Sequence, residues 1–109
     1  MIQRFNFDGE DFKVMMQFEG WKIGFLRYSE RFSKFSQLER HTETDEAFVL
    51  LDGSAVLYRE NEEIQMQKCT LYNIPKGEWH HITVSENATV MVVENSDTSS
   101  DNTDKRLLK

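Results

Sequence analysis

The stretch IPKGEWHHITV, residues 74–84, contains the only proline of the chain and two of its three histidines. Pro75 fixes its own φ angle, and Gly77 permits backbone conformations that are closed to other residues. The Pro-Lys-Gly segment is therefore predicted to form a tight turn, and residues 79–84 after it are predicted to form a strand.

The two histidines of this stretch are adjacent, at positions 80 and 81. Successive side chains of a strand point to opposite faces, so His80 shares a face with Ile82 and Val84, whereas His81 points the other way. We therefore expect His80 to face the interior and His81 to face solvent.

The composition indicates one globular domain. The 109 residues (12.9 kDa) are 39% hydrophobic and 29% charged, which argues against extensive disorder. We expect the domain to span residues 1–95, followed by a polar C-terminal tail at residues 96–109. Cys69 is the single cysteine, so no internal disulfide can form, and we expect it to be a small buried hydrophobic residue.

The charge and the absence of long apolar runs limit the partners and the location. A net charge of -6 and a pI near 5.0 oppose binding to nucleic acid or to an anionic membrane surface, and neither is an expected partner. The sequence begins without an apolar run of signal-peptide length, and no later stretch is long enough to span a bilayer. The expected location is the cytoplasm.

Apolar runs of strand length recur between turn signals, and they are rich in aromatic and β-branched residues. The runs are residues 21–28, 47–51, 55–59, 63–67, 70–74 and 89–94. A sheet with one apolar face must bury that face on another sheet, so the pattern predicts a β-sandwich or a small barrel. Residues 10–18 fit either a short helix or an edge strand, and periodicity over so few residues does not decide between them.

A second stretch, LERHTETDEAFVLLDG at residues 38–53, is rich in side chains that bind metals. The side chains that would share one face of an extended segment are Glu39, His41 and Glu43. Glu46 shares a face with Phe48 and Leu50, so a carboxylate heads an otherwise apolar row. A buried carboxylate without a partner costs several kcal/mol, so a metal ion, a cationic group or a hydrogen-bond network should meet Glu46.

The two stretches together resemble the two motifs of the cupin superfamily. The second motif of that family contains Pro-x-Gly-x-x-His, which Pro75, Gly77 and His80 match. The first motif runs Gly-x5-His-x-His, three or four residues, Glu-x6-Gly, and its end is matched by Glu46 and Gly53.

By the spacing of the first motif, His41 is equivalent to its second histidine, and Glu39 occupies the position of the first. The resemblance covers about residues 20–95 and implies an all-β fold, the double-stranded β-helix or jelly-roll barrel of two antiparallel sheets. It also implies a set of metal ligands: Glu39, His41, Glu46 and His80. Glu43 lies too close to Glu46 for the motif and is expected at the surface.

Such a ligand set resembles the two-histidine, one-carboxylate sites that hold iron(II). It suits a divalent transition metal such as iron, manganese, zinc, nickel or cobalt, and the sequence does not select among them. The alternative is a metal-free network of hydrogen bonds among His41, Glu46 and His80.

Two classes of function fit this interpretation. The first is a metal-dependent enzyme on a small molecule, an isomerase of a sugar-like compound or a dioxygenase, in which Glu46 or Glu39 moves a proton. The second is a metal-free module that binds a small-molecule ligand without catalysis. A homodimer is expected in both cases, with the outward-facing Ala47, Val49 and Leu51 covered by the second sheet or by a partner chain.

Overall fold

Ten β-strands and two single-turn 3-10 helices make up the regular structure of residues 1–108, which are the residues that the computed structural model describes. The strands are β1 (Phe12–Phe18), β2 (Trp21–Arg27), β3 (Gln37–His41), β4 (Glu46–Asp52), β5 (Ala55–Arg59), β6 (Glu62–Gln65), β7 (Leu71–Ile74), β8 (His81–Val84), β9 (Thr89–Asn95) and β10 (Thr103–Leu107), and the 3-10 helices are Glu30–Phe32 and Ser100–Asn102. Within these residues no helix is long and apolar enough to cross a membrane. The strands pair antiparallel, which confirms the predicted all-β fold.

The strands form two layers. The first is a five-stranded sheet in the order β1-β2-β9-β4-β7. The second contains the pair β10-β3 and the sheet β6-β5-β8, which are joined by one bridge between Glu39 and His80. In that bridge each residue donates its N–H to the carbonyl of the other at 2.8 Å. The second layer therefore runs β10-β3-β8-β5-β6, and the two layers form the double-sheet jelly roll that the resemblance to the cupins implies.

Alternate residues of the facing strands fill the space between the layers. Val90 and Val92 of β9 and Phe48 and Leu50 of β4 are at most 3% exposed, and Ile82 of β8 faces them from the second layer at 4%. Each such side chain contributes roughly 1.5–3 kcal/mol by leaving water. The alternation also directs the last inward residue of β9 and the first of β4, both glutamates, toward one end of the barrel.

The undecided segment 10–18 contains the edge strand β1 (Phe12–Phe18), whose register with β2 shifts between Val14 and Met16 at a bulge. The structure also adds strand β10 within the predicted polar tail, where Thr103–Leu107 pairs with β3 along its whole length. The sequence of this strand lacks apolar alternation. The strand is held to β3 by backbone hydrogen bonds and by charged pairs such as Arg40–Asp104 at 2.9 Å. Its composition alone therefore resembles that of a tail.

The prediction that Cys69 is buried is wrong. Cys69 is exposed, and it lies between β6 and β7 with a φ of 61°. A left-handed conformation occurs in turns, which run over the surface, and this accounts for the exposure of a residue type that is usually buried.

Gly53 follows strand β4, where the chain crosses from one layer to the other. Its φ is 72°, and an added Cβ would lie 2.6 Å from Cα and 2.8 Å from N of Ala88. These are backbone atoms of a residue with no exposed surface, so they cannot rotate away. Gly77 has a similar φ of 83° but no atom within 4 Å of an added Cβ.

We predict that Gly53→Ala lowers the free energy of unfolding by roughly 2–4 kcal/mol, because it combines left-handed strain with a backbone clash. Gly77→Ala, which adds the strain alone, should cost about 1 kcal/mol. Urea denaturation of the two variants and the wild type measures the difference. Equal losses of stability in the two variants would show that the contact with Ala88 does not matter.

Candidate functional site

Three side chains from three different segments converge at one end of the barrel. The Nε2 atom of His41 lies 3.1 Å from Oε1 of Glu46, and the Nε2 atom of His80 lies 3.2 Å from the same oxygen. All three residues are buried, and their ligand-type atoms lie within 4.8 Å of one another. The structure thus brings together three of the four predicted ligands.

The Pro-Lys-Gly turn carries His80 to this position. Glu78 donates its N–H to the carbonyl of Pro75 at 3.1 Å, which closes the turn, and Gly77 occupies the position with positive φ. The N–H of Gly77 also donates to the carbonyl of His41 at 2.8 Å. The turn is therefore attached to the end of β3, next to the histidine that His80 faces.

The outer nitrogen of each imidazole has its own partner. Nδ1 of His80 lies 3.0 Å from the carbonyl oxygen of Glu78, which can only accept a hydrogen bond. Nδ1 of His41 lies 2.9 Å from the hydroxyl of Thr103. When both Nδ1 atoms carry the proton, both neutral imidazoles direct an Nε2 lone pair at the same carboxylate oxygen. Three acceptors at this distance require a cation among them, either a proton or a metal ion.

Electrostatics place that cation close to Glu46. Burial raises the pKa of the Glu46 carboxyl, but the hydrogen bonds from His41 and His80 outweigh burial and lower this pKa to about 2. Burial lowers the pKa of His41, but the hydrogen bond and the negative charge of Glu46 outweigh it and raise this pKa above its usual value. Glu46 therefore remains a carboxylate at neutral pH and attracts positive charge to its neighbours.

Glu94 of β9 is a fourth buried polar residue at this end, and the sequence analysis missed it. It pairs with Glu46 across β9 and β4 and is 8% exposed. Burial, together with the hydrogen bond and charge of Glu46, raises the pKa of Glu94 to about 8, against the smaller opposing effect of Lys22. The sequence contains a signal for a buried Glu94. Glu94 alternates with Val90 and Val92 on the inward face of β9, just as Glu46 alternates with Phe48 and Leu50 on the inward face of β4.

Two predicted carboxylates lie outside the group of three. The carboxylate of Glu39 accepts a hydrogen bond from Nε2 of Gln37 at 3.1 Å and lines the neighbouring cavity. The carboxylate of Glu43 is at the surface and accepts from Nδ2 of Asn102 at 3.1 Å, as expected for a residue outside the motif.

His81 points away from His80, as predicted, but it does not face solvent. Its ring stacks on Phe35 with the ring centroids 5.8 Å apart, and Nε2 donates to the carbonyl of Lys34 at 3.2 Å. The segment before β3 covers this face of the second layer, so His81 is only 7% exposed. Strand alternation gives the direction of a side chain but does not show whether a loop covers it.

A cavity of about 140 Å³ adjoins Glu46 and His80 between the layers. Its polar lining is Arg31, Gln37, Glu39, Glu46, His80 and His81, and its apolar lining is Phe12, Leu26, Phe32, Phe48, Ile82 and Val92. The space accommodates several water molecules or one small organic molecule.

The residues fit a bound transition metal. Imidazole nitrogen and carboxylate oxygen are the ligands that such ions prefer in proteins. With metal–ligand distances of about 2.0–2.2 Å, two ligand atoms lie roughly 3.0 Å apart at a right angle and about 3.4 Å apart at a tetrahedral angle. The two distances at Glu46, 3.1 and 3.2 Å, lie in that range. The Nδ1 hydrogen bonds supply the outer support that metal-binding histidines usually have.

We predict that Glu94→Gln makes the metal-free protein less sensitive to rising pH. Between about pH 4.5 and 8 the folded protein holds a proton on Glu94 that the unfolded chain has released, so this group weakens folding as the pH rises. The wild type should lose stability relative to the variant across that window, by on the order of a few kcal/mol.

Urea unfolding with a chelator present, at several pH values between 4.5 and 9, measures this difference. Glu63→Gln is the control, because Glu63 is an exposed carboxylate on β6. Parallel stability curves for the wild type and Glu94→Gln would contradict the assignment of a proton to Glu94.

No family model and no curated protein matches this sequence. Among solved structures, a cupin-2 domain protein from Shewanella frigidimarina superposes with a TM-score of 0.69 at 22% identity, over 82% of this chain and 84% of that one. The Streptomyces protein Pac13, described as a nucleoside dehydratase, superposes with a TM-score of 0.73 at 14% identity, over 97% and 85% of the two chains. KdgF from Halomonas gives a TM-score of 0.64 at 10% identity, over 88% and 90%. At these identities the likeness concerns the fold, and together with the two motifs it shows that this chain has the small cupin fold.

Proposed function

We propose that this protein binds a divalent transition metal through His41, Glu46 and His80 and acts on a small molecule in the adjacent cavity. The observation that carries the proposal is the convergence of two imidazole Nε2 atoms on one buried carboxylate oxygen, at 3.1 and 3.2 Å. Iron, manganese, zinc, nickel and cobalt all suit two histidines and a carboxylate. Such an ion supplies Lewis acidity toward a carbonyl or hydroxyl group or, if it is redox-active, reactivity toward oxygen.

Glu39 is the residue that we propose moves a proton. Its carboxylate lines the cavity without being one of the three converging groups, so it can face a ligand while the other three hold the metal. Removal of a proton next to a polarised carbonyl is the step that isomerisation of a sugar-like compound needs, and a carboxylate can perform it. Oxygenation is the second reaction class that the same ligand set supports.

The cavity limits the ligand to a small molecule. Its lining contains both polar and apolar side chains, which suits a molecule that carries polar and apolar groups. Pac13 has been solved with uridine, but at 14% identity its ligand does not transfer to this chain. The cavity of about 140 Å³ is also smaller than the roughly 300 Å³ at which drug-sized ligand sites begin.

We predict near-stoichiometric transition metal in protein purified without an affinity tag or chelator, and its loss in His41→Ala and His80→Ala. Removing one of three ligands should lower the affinity at least 10-fold, because two remaining ligands leave the ion mostly hydrated. Glu39→Gln should keep the metal and lose turnover. Elemental analysis with parallel circular dichroism measures metal content and folding.

Glu43→Gln is the matched control, a carboxylate of the same stretch that lies at the surface. Stoichiometric metal in His80→Ala would contradict the ligand assignment. A wild-type protein that remains metal-free after reloading would favour the ligand-binding module without catalysis.

We further propose that the protein is a homodimer that pairs through the outward face of the first sheet. That face carries large exposed apolar side chains: Phe18, Trp21, Leu51 and Leu71. The neighbouring outward residues of β4 and β9 are also apolar and partly exposed: Ala47, Val49, Met91 and Val93. A contiguous apolar sheet face of this kind marks an interaction site, and a second copy of the chain offers the same apolar surface.

We predict a mass twice the 12.9 kDa of the chain by light scattering at micromolar concentration. Leu71→Lys should shift the protein to the monomer, because it places a charge on a side chain that is 64% exposed on this face. Leu107→Lys is the control, since Leu107 is 76% exposed but lies on β10 of the second layer. A wild-type mass of one chain would refute the dimer.

A further inference from the structure

We infer that Thr103 is a positioning residue that holds His41 in the tautomer able to bind a metal. The inference depends on the proposed function, because it assumes that His41 binds a metal. The contact between Thr103 and His41 is present in the protein without a metal. Thr103 is the first residue of β10 and lies directly opposite His41 in the register of β10 and β3. Side chains opposite each other in an antiparallel pair share a face, which brings the Thr103 hydroxyl to 2.9 Å from Nδ1 of His41.

The hydroxyl of Thr103 has a single proton, and a second contact uses it. Oγ1 of Thr103 donates to the carbonyl of Ser99 at 2.7 Å, and a carbonyl can only accept. The hydroxyl therefore meets His41 with a lone pair, and Nδ1 of His41 must be the donor. This chain of hydrogen bonds leaves the Nε2 lone pair of a neutral His41 directed at Glu46 and available to a metal ion.

The Ser99 carbonyl is itself held in place. Ser99 precedes the 3-10 helix Ser100–Asn102 and forms a capping box with it, in which Ser99 N–H donates to Oδ1 of Asn102 at 2.9 Å. The carbonyl of Asn102 then accepts from the N–H of Thr42 at 3.0 Å, which joins the helix to the end of β3. The acceptor for Thr103 is thus fixed relative to the strand that carries His41.

The rest of β10 is attached by contacts away from the site. Trp79 contacts two guanidinium groups, that of Arg40 at 4.5 Å and that of Arg106 at 4.8 Å from its ring centroid. Arg40 also pairs with Asp104 at 2.9 Å, and Leu108 donates its N–H to the carbonyl of Ser36 at 3.0 Å. These contacts place β10 alongside β3 independently of the contact between Thr103 and His41.

His80 provides the comparison within the same site. Its Nδ1 bonds to the carbonyl of Glu78, two residues away in its own turn. His41 depends instead on a residue 62 positions away. Only one of the two histidines therefore needs the C-terminal strand for its tautomer.

The test is NMR of the imidazole nitrogens in metal-free protein over a pH series that extends above the raised pKa of His41, so that the neutral imidazole is observed. Two-bond proton–nitrogen correlations distinguish the Nδ1–H from the Nε2–H tautomer. The wild type should show His41 as Nδ1–H. Thr103→Val, which removes the hydroxyl at nearly constant volume, should gain the Nε2–H form, and Thr103→Ser should restore the wild-type spectrum.

Thr42→Val is the matched control, because the Thr42 hydroxyl donates to the carbonyl of Asn102 at 3.1 Å at the same junction without touching His41. It should leave the tautomer unchanged. An Nε2–H tautomer in the wild type, or an unchanged tautomer in Thr103→Val, would overturn the inference. The wild-type spectrum decides the tautomer even if Thr103→Val fails to fold.

A zinc titration against a chromophoric chelator gives the second measurement. Thr103→Val should bind zinc 10- to 100-fold more weakly, the usual cost of losing an outer hydrogen bond to a histidine ligand, while Thr103→Ser and Thr42→Val stay near the wild type. Wild-type affinity in Thr103→Val would overturn the positioning role. Absence of zinc binding in the wild type would overturn the proposed function, and the NMR result would then decide the tautomer by itself.

Discussion

The structure depends on the meeting of two imidazoles and one carboxylate at a single buried oxygen, Oε1 of Glu46. Burying a carboxylate without a positive or hydrogen-bonding partner costs several kcal/mol of folding free energy. Replacing its water by the lone pairs of two neutral imidazoles would increase that cost. Positive charge at this point, as a proton or as a metal ion, makes the arrangement favourable. The site is therefore built for a cation by the nature of its donors, whichever ion occupies it.

The three converging side chains also connect the two layers of the barrel. Glu46 belongs to the first sheet, whereas His41 and His80 belong to the second. Elsewhere the layers hold together by apolar packing, which is non-directional. Here they meet through directed contacts. Within residues 1–108 the two parts of the second layer are joined by the bridge between Glu39 and His80 and by the hydrogen bond from the N–H of Gly77 to the carbonyl of His41. At this end of the barrel the contacts of His41 and His80 with Glu46 connect the two layers directly, beside the cavity.

The sequence predicts the convergence of His41, Glu46 and His80 because two simple rules apply to this region. Glu46 heads an apolar alternating row, and the Pro-Lys-Gly turn requires a change of direction before His80. The same alternation applied to β9 identifies Glu94, which the motif comparison does not contain. Strand β10 escapes prediction for a physical reason, because its stability comes from a backbone ladder and charged pairs rather than from apolar burial. Sequence patterns built on hydrophobic periodicity do not detect such a strand.

The two histidines differ in the sequence distance to the residue that binds their Nδ1 atom. This difference explains why a short sequence motif describes the orientation of one histidine and not of the other. The orientation of His80 is encoded within a few residues, so the local pattern Pro-x-Gly-x-x-His contains both the histidine and the carbonyl that holds its Nδ1 atom. The orientation of His41 depends on a contact that closes a long loop, and such contacts carry no local signature and form only after the loop-closure entropy has been overcome. A motif therefore identifies which side chains converge on Glu46, whereas the tautomer of His41 depends on a residue of strand β10. The polar composition of residues 96–108 contributes to this tautomer, because hydroxyl and amide side chains supply the hydrogen bonds around Thr103 that an apolar segment would lack.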